Sequence, residues 1–363
     1  MKRPILLATA FSLTAFLACD QLGDPSSPVA DQQHEFEVEM DETAEAIAKE
    51  KAALTKKRAR LAKRVVRMNK RFNGSQEYGI QAKLSVGAGE DYTTIQDAVD
   101  AASPGDKIKV KDSLSPYVED VVVDVPDVRL TAEGDVTVIG SITVIADEVT
   151  VDHFRVEAER EDGVYGIHLD GVTDCELEDN YVVGGSDGIR LDDSSDCLLK
   201  GNTTTGADTD GIELNESHNN VVDENTSFGN DDDGIEVDDS DNNEIKGNDF
   251  SNNGAANTPD SGTGDGIDLS GEGGSSGNEM EDNVCNNNPD TGIEIGGSGS
   301  NNNTVGSDNE ANNCQDNGLE LNTSSFDNFV KKNEFKNNSP CDIEDRGTDN
   351  EFLKNDIDCF VQP

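Results

Sequence analysis

From about residue 121 onward the apolar residues fall in short bursts of three or four, separated by stretches rich in Asn, Asp, Gly and Ser. Within a burst the order is often Gly-Ile-x-Leu-x, with one residue in two apolar, the period of a strand that buries one face. These segments recur at Gly166-Ile167, Gly188-Ile189, Gly211-Ile212, Gly234-Ile235, Gly266-Ile267, Gly292-Ile293 and Gly318-Leu319, at spacings of 22, 23, 23, 32, 26 and 26 residues. Fourteen residues after the first four glycines stand Asn180, Asn202, Asn225 and Asn248; Asn283, Asn309 and Asn333 continue the column after small insertions. A repeat of this length with several short strands per turn predicts a parallel solenoid. No rung buries its apolar face alone, so Ile, Leu and Val must stack into one core. Asn side chains in the same turn can hydrogen-bond from rung to rung, as in cross-β stacks. The multi-Leu pattern of leucine-rich repeats is missing. The expected fold class is therefore all-β, a parallel β-helix over residues 79–363.

Upstream the pattern changes twice. Lys2 and Arg3, an apolar run over residues 5–16 and a small residue before Cys19 read as an export signal over residues 1–18, too short to span a membrane. Residues 19–34 are a polar linker. Residues 35–76 read as a helical stalk without proline, in which Ile47, Leu54, Leu61 and Met68 recur every seven residues. That stripe points to self-association, to a basic face on anionic lipid, or to a solvated spacer, since its start is acidic and its later part basic.

Two resemblances sharpen this outline. Phe16-Leu17-Ala18-Cys19 resembles the lipobox of bacterial lipoproteins, which implies lipidation of Cys19 and anchoring in a membrane at the cell envelope. Residues 86–102, with Thr93 or Thr94 as a helix N-cap, run into Ser103-Pro104-Gly105-Asp106 and a strand at 107–110. This stretch resembles the N-terminal cap of pectate-lyase-like β-helix proteins, and the Gly-Ile rungs are similar to the right-handed β-helix repeat. The resemblance implies a right-handed solenoid and a polysaccharide partner.

Six cysteines follow Cys19. Cys175 and Cys197 occupy the same position of neighbouring rungs, about 4.8 Å apart, at the short end of the range for a disulfide. Two stacked thiols are the alternative. Cys285 with Cys314, and Cys341 with Cys359, complete the expected pairs, the last one stapling the C-terminal rung.

In each Gly-Ile-x-Leu-x strand the two x positions face solvent. The first column reads His168, Arg190, Glu213, Glu236, Asp268, Glu294, Glu320; the second reads Asp170, Asp192, Asn215, Asp238, Ser270. Before each glycine lies Asp187, Asp210, Asp233, Asp265 and later Asn317. Like charges one rung apart repel by about 1 kcal/mol per pair even in water, so such ladders favour raised pKa values or a bound cation. Ca²⁺ takes hard oxygen ligands, and Asp210, Glu213, Asp233, Glu236 and Asp238 form a candidate set. Turn chemistry, with Asp accepting nearby backbone N–H groups, is the simpler reading of the pre-glycine column. Extra residues at 251–264 and 271–277 are expected to wall a cleft at Glu213, Glu236, Asp238 and Asp268.

Catalysis on this face would use His168 or Arg190 as the base of a lyase, or two carboxylates of a glycoside hydrolase. The Gly-His-Gly and Arg-Ile-Lys segments of polygalacturonases are absent, as is the Asp-Pro-His segment of alginate epimerases. A binding or structural module is the third class. The net charge of −48 argues against a nucleic acid partner, which needs a basic surface; it fits cation binding or solubility in a salty habitat.

Overall fold

The computed structural model describes residues 82–254 and 264–362. The export signal, Cys19, the linker and the stalk lie outside the described residues, as does most of the extra loop at 251–264.

The described residues coil into a parallel β-helix of three sheets. The first has 12 strands, from Lys83–Val86 to Glu351–Leu353. The second is interrupted, with six strands between Tyr117–Val118 and Thr226–Phe228 and three more from Glu310–Asn312 to Asp356–Ile357. The third has 11 strands, from Val121–Val123 to Phe360–Val361. The third sheet carries the repeat in register: Ile167, Ile189, Ile212, Ile235, Ile267, Ile293 and Leu319 pair in succession, and Ile343 follows. The longer spacings are thus absorbed in the turns and leave the ladder unshifted.

Alternation explains the core. Ile167 and Leu169, Ile189 and Leu191, Ile212 and Leu214 are fully buried, while the residue between each pair faces outward. The glycine before each Ile is set by close approach: a Cβ on Gly234 would lie 2.6 Å from Gly266 O and 2.7 Å from Phe250 Cβ. A helix at Ile95–Asp100, N-capped by the Thr94 hydroxyl, adds Ile95, Ala98 and Val99 to the core.

The turns explain much of the Asp and Asn content. Asp174, Asp196, Asn219 and Asn242 take left-handed φ near 60° two residues before the first-sheet strands begin, as Asp179 and Glu224 do before the second. Asn and Asp tolerate this region better than other residues with a Cβ. The next residue turns inward and builds a ladder. Asn180, Asn202, Asn225 and Asn248 are buried, and each Nδ2 donates to the Oδ1 of the next rung at 2.9–3.0 Å. The same Oδ1 atoms accept the backbone N–H of the preceding rung, as between Asn202 N and Asn225 Oδ1 at 2.8 Å. A buried backbone N–H is satisfied in this way at each of these rungs. A second column, Ser194, Ser217, Ser240 and Ser275, does the same with hydroxyls.

Of the expected disulfides, Cys341–Cys359 is present, with a Cα separation of 5.2 Å. The other two pairs remain buried thiols. Cys175 and Cys197 point the same way in an in-register stack, so their Cβ atoms do not converge as a disulfide requires. They stand instead in a ladder position: Cys175 N donates to Cys197 Sγ at 3.4 Å, and Cys197 N donates to Asn220 Oδ1 at 2.9 Å. Cys285 and Cys314 occupy different columns. Cys285 packs against Gly266 as Phe250 packs against Gly234, whereas Cys314 donates to Cys285 O and receives no matching sulfur.

Candidate functional site

The outward face of the third sheet collects the predicted residues in one column. Val122, Thr143, His168, Arg190, Glu213, Glu236, Asp268, Glu294, Glu320 and Glu344 lie side by side. Asp170, Asp192, Asn215, Asp238 and Ser270 form the column beside it.

At one end the basic residues are fully engaged. Arg190 Nε donates to both oxygens of Asp192 at 2.9 and 3.0 Å, its Nη1 reaches Asp187 at 3.0 Å, and it also pairs with Glu213. His168 Nε2 lies 2.7 Å from Asp192. Burial pushes the Asp192 carboxyl up, but hydrogen bonds from Arg190, Asn215 and His168 outweigh it and hold the group below its ordinary range. Glu213 moves the other way: burial first, then the adjacent Asp187, push it up to about 9 despite Arg190. A second basic residue, Arg346, closes the far end of the stripe on Glu320 and Glu344 at 2.7 and 2.8 Å. Its rung reads Asp342-Ile343 in place of Gly-Ile, so the repeat signature does not reveal it.

Between these ends the pre-glycine aspartates act as a ladder. Asp210 Oδ1 accepts Asp233 N at 2.9 Å, Asp233 Oδ1 accepts Asp265 N at 2.6 Å, and Asp265 Oδ1 accepts Thr291 N at 2.7 Å. Their donors are backbone N–H groups of the next rung, not the local N–H groups that turn chemistry would use. Burial drives all three carboxyls well above their ordinary range, as it does Asp268. The outward glutamates reach diagonally onto this ladder: Glu213 to Asp187, Glu236 to Asp210 and Glu294 to Asp265. Two carboxyls in contact cannot both ionise cheaply, so each pair holds a proton or a cation. Asp268 is one methylene shorter than these glutamates, and its buried Oδ1 has no hydrogen-bond partner.

Two groups of three carboxyls have oxygens within 4.8 Å of one another: Asp187, Asp210 and Glu213, and Asp265, Asp268 and Glu294. Of the candidate metal set, Asp210 and Glu213 come together, and Arg190 already contacts Glu213. Asp233, Glu236 and Asp238 join neither group; Glu236 accepts from the Ser270 hydroxyl at 2.8 Å. The second group has no salt bridge to a basic side chain among the described residues, and it contains the orphaned Asp268 oxygen. Burial, followed by repulsion from Glu320, raises Glu294.

A cavity of about 470 Å³ lies beyond His168 rather than at Glu236 and Asp268, between Val118 and Ile139 of the second sheet and Thr143 and His168 of the third. Tyr165 lines it and was not singled out by the repeat. It stands edge-on to His168, with ring centroids 4.9 Å apart, and the Arg190 guanidinium lies 5.0 Å from its ring centre. The available signal was an aromatic residue directly before the first Gly-Ile strand, in a chain that is only 5% aromatic.

The family model for a right handed beta helix region matches residues 141–307. Among solved structures, ORF18 of Geobacillus virus E2 superposes with a TM-score of 0.60 at 13% identity, covering 79% of this chain and 61% of that one. The chain thus spans less than two thirds of that viral protein. PfbA, a surface adhesin of Streptococcus pneumoniae, gives a TM-score of 0.55 at 13% identity, over 76% of this chain and 91% of that one. The A-module of the Azotobacter vinelandii mannuronan C-5 epimerase AlgE6 gives 0.51 at 16% identity, over 74% and 78%. No curated protein matches the chain. At these identities the likeness establishes the fold, a right-handed parallel β-helix, and nothing finer.

Proposed function

We propose that this protein is an exported envelope module that binds polysaccharide along the outward face of its third sheet, with Ca²⁺ held at Asp265, Asp268 and Glu294. The observation that carries the cation is the buried, unpartnered Asp268 oxygen inside a three-carboxyl group without a basic counter-ion. Hard carboxylate oxygens suit Ca²⁺, and a cation would replace the protons these groups otherwise retain. Lipidation at Cys19 ties the module to a membrane, and the stalk at 35–76 spaces or pairs copies of it. A surface adhesin and a mannuronan-modifying enzyme share the fold, which is compatible with a glycan partner.

Binding is favoured over elimination chemistry because Arg190 on this stretch of the face is committed to three carboxylates. Hydrolysis is the second reading, and Glu236, whose carboxyl burial pushes up, favours it beside Asp238, since a general acid needs a raised pKa. The test is a panel of purified glycans, with Ca²⁺ and with chelator, against the full chain, Glu236→Ala and Asp268→Asn. The proposal expects binding that Asp268→Asn deprives of its Ca²⁺ dependence. New reducing ends lost in Glu236→Ala would establish the hydrolase, and ultraviolet-absorbing unsaturated products a lyase. No binding to any glycan in either buffer would end the proposal.

A further inference from the structure

The cavity beyond His168 differs from the acidic stripe in its chemistry. We propose that it is a saccharide subsite selective for uncharged or amine-bearing sugars, and that it rejects uronates. The inference rests on the polysaccharide reading above and assigns it a sugar class.

The wall is amphipathic in the way a sugar ring requires. Val118, 75% exposed, and Ile139, 39% exposed, are apolar residues left open to solvent at its edge. The Tyr165 ring adds an aromatic surface, on which the C–H face of a hexose can pack while its hydroxyls point elsewhere. Thr143, one rung before His168 in the outward column, supplies a hydroxyl. His168 has Nε2 engaged by Asp192, which leaves Nδ1 for a ligand.

The charge of the lining sets the selectivity. Glu119, Asp120 and Glu159 are its carboxyl residues, and no Lys or Arg lines it. Two of the three are already structural: Glu119 accepts Ile95 N and Gln96 N at 2.9 and 3.0 Å, and Asp120 accepts Ser141 N at 3.0 Å. Those two bind no sugar directly, but their charge remains and opposes any incoming carboxylate. Glu159 is exposed and has no such duty in the fold, so it is the group that would meet an amine. The nearby guanidinium of Arg190 is neutralised by Asp187, Asp192 and Glu213 and offers no anion site.

Calorimetric titration of the full chain in chelator tests this, because it removes Ca²⁺ bridging from the acidic stripe. The probes are the β-1,4-linked hexamers of glucosamine and glucose and the α-1,4-linked hexamer of galacturonate. The glucosamine hexamer is expected to bind tightest, the glucose hexamer next, and the galacturonate hexamer at least about tenfold more weakly than glucosamine. Tyr165→Ala should weaken the first two about tenfold. Val118→Lys, at an exposed position that leaves the core untouched, should narrow or reverse the preference between glucosamine and galacturonate. Galacturonate binding as tight as glucosamine in chelator overturns the inference. So does glucosamine affinity that neither variant changes; if that binding persists, the polysaccharide reading stands while the subsite fails. Absence of binding by every hexamer, with Ca²⁺ as well as chelator, removes both.

Discussion

The early rungs and the later ones fill the same turn positions with different chemistry. At the entry to the first sheet the stacked residue is Val128, then Val149, Cys175 and Cys197, and from there Asn220, Asn243, Asn278, Asn303 and Asn328. At the entry to the second sheet it is Val136, then Phe154, and thereafter Asn180, Asn202 and Asn225. The outward column of the third sheet changes over the same stretch, from Val122 and Thr143 through His168 and Arg190 to an unbroken run of acids. An apolar turn is stabilised by burial, whereas an amide turn is stabilised by satisfying backbone N–H groups from rung to rung. Early rungs therefore present a partly apolar surface with a cavity. Later rungs present charge on a rigid polar ladder.

The sharpest way to break this contrast is to remove one rung of the ladder. Asn225→Ala leaves Asn202 N without its side-chain acceptor and removes the amide donor from Leu199 O, while Asn202 Nδ2 keeps Leu177 O and Asn248 Oδ1 keeps the backbone N–H of residue 225. Each buried unmet group costs about 1–3 kcal/mol, so the loss in urea unfolding should be about 3 kcal/mol or more. A loss under about 1 kcal/mol would mean that apolar stacking alone holds the later rungs.

Next in size is the effect of a cation. Ca²⁺ at a hundredfold excess over its dissociation constant should stabilise the wild type by about 2.7 kcal/mol. Asp268→Asn should abolish that gain and, in chelator, unfold at higher temperature than the wild type because it has no buried carboxyl to keep protonated against the solvent pH. Equal Ca²⁺ responses in both proteins would remove Asp268 from the site.

The pH dependence should have a definite sign. Glu213 titrates at about 9 in the folded protein against an ordinary 4.5. Below the lower value both states are protonated and no penalty exists. Between the two values only the unfolded state ionises freely, so stability falls as pH rises from about 4.5 to about 9 and then levels off. The urea midpoint of Glu213→Gln should vary less over this window than that of the wild type.

The sequence made the later rungs more legible than the early ones. Gly-Ile pairs at near-constant spacing specify the third sheet, its register and its outward column, because a parallel in-register stack repeats its chemistry. The Asn column likewise announced its ladder. What stayed hidden has no period. Tyr165 and the cavity arise from the irregular residues before the first Gly-Ile, and Arg346 sits on a rung whose glycine is replaced by Asp342. The cysteines misled for a related reason: equal spacing correctly placed Cys175 and Cys197 one above the other, but stacking aligns side chains in parallel and keeps the sulfurs from joining. Cys197→Asn, the smallest change, should therefore extend the amide column at no more than about 1 kcal/mol cost by urea unfolding; a larger loss would show the early turn to be specifically apolar.

The central claim is that glycan lies on the outward face of the third sheet. Carbodiimide labelling of carboxyl groups, read by mass spectrometry with and without a bound glycan, tests it most directly. The account predicts protection at Glu159, Glu236, Asp238 and Glu294, and unchanged labelling at Glu178, Asp223 and Glu281 of the first sheet. Protection confined to the first-sheet residues would contradict it.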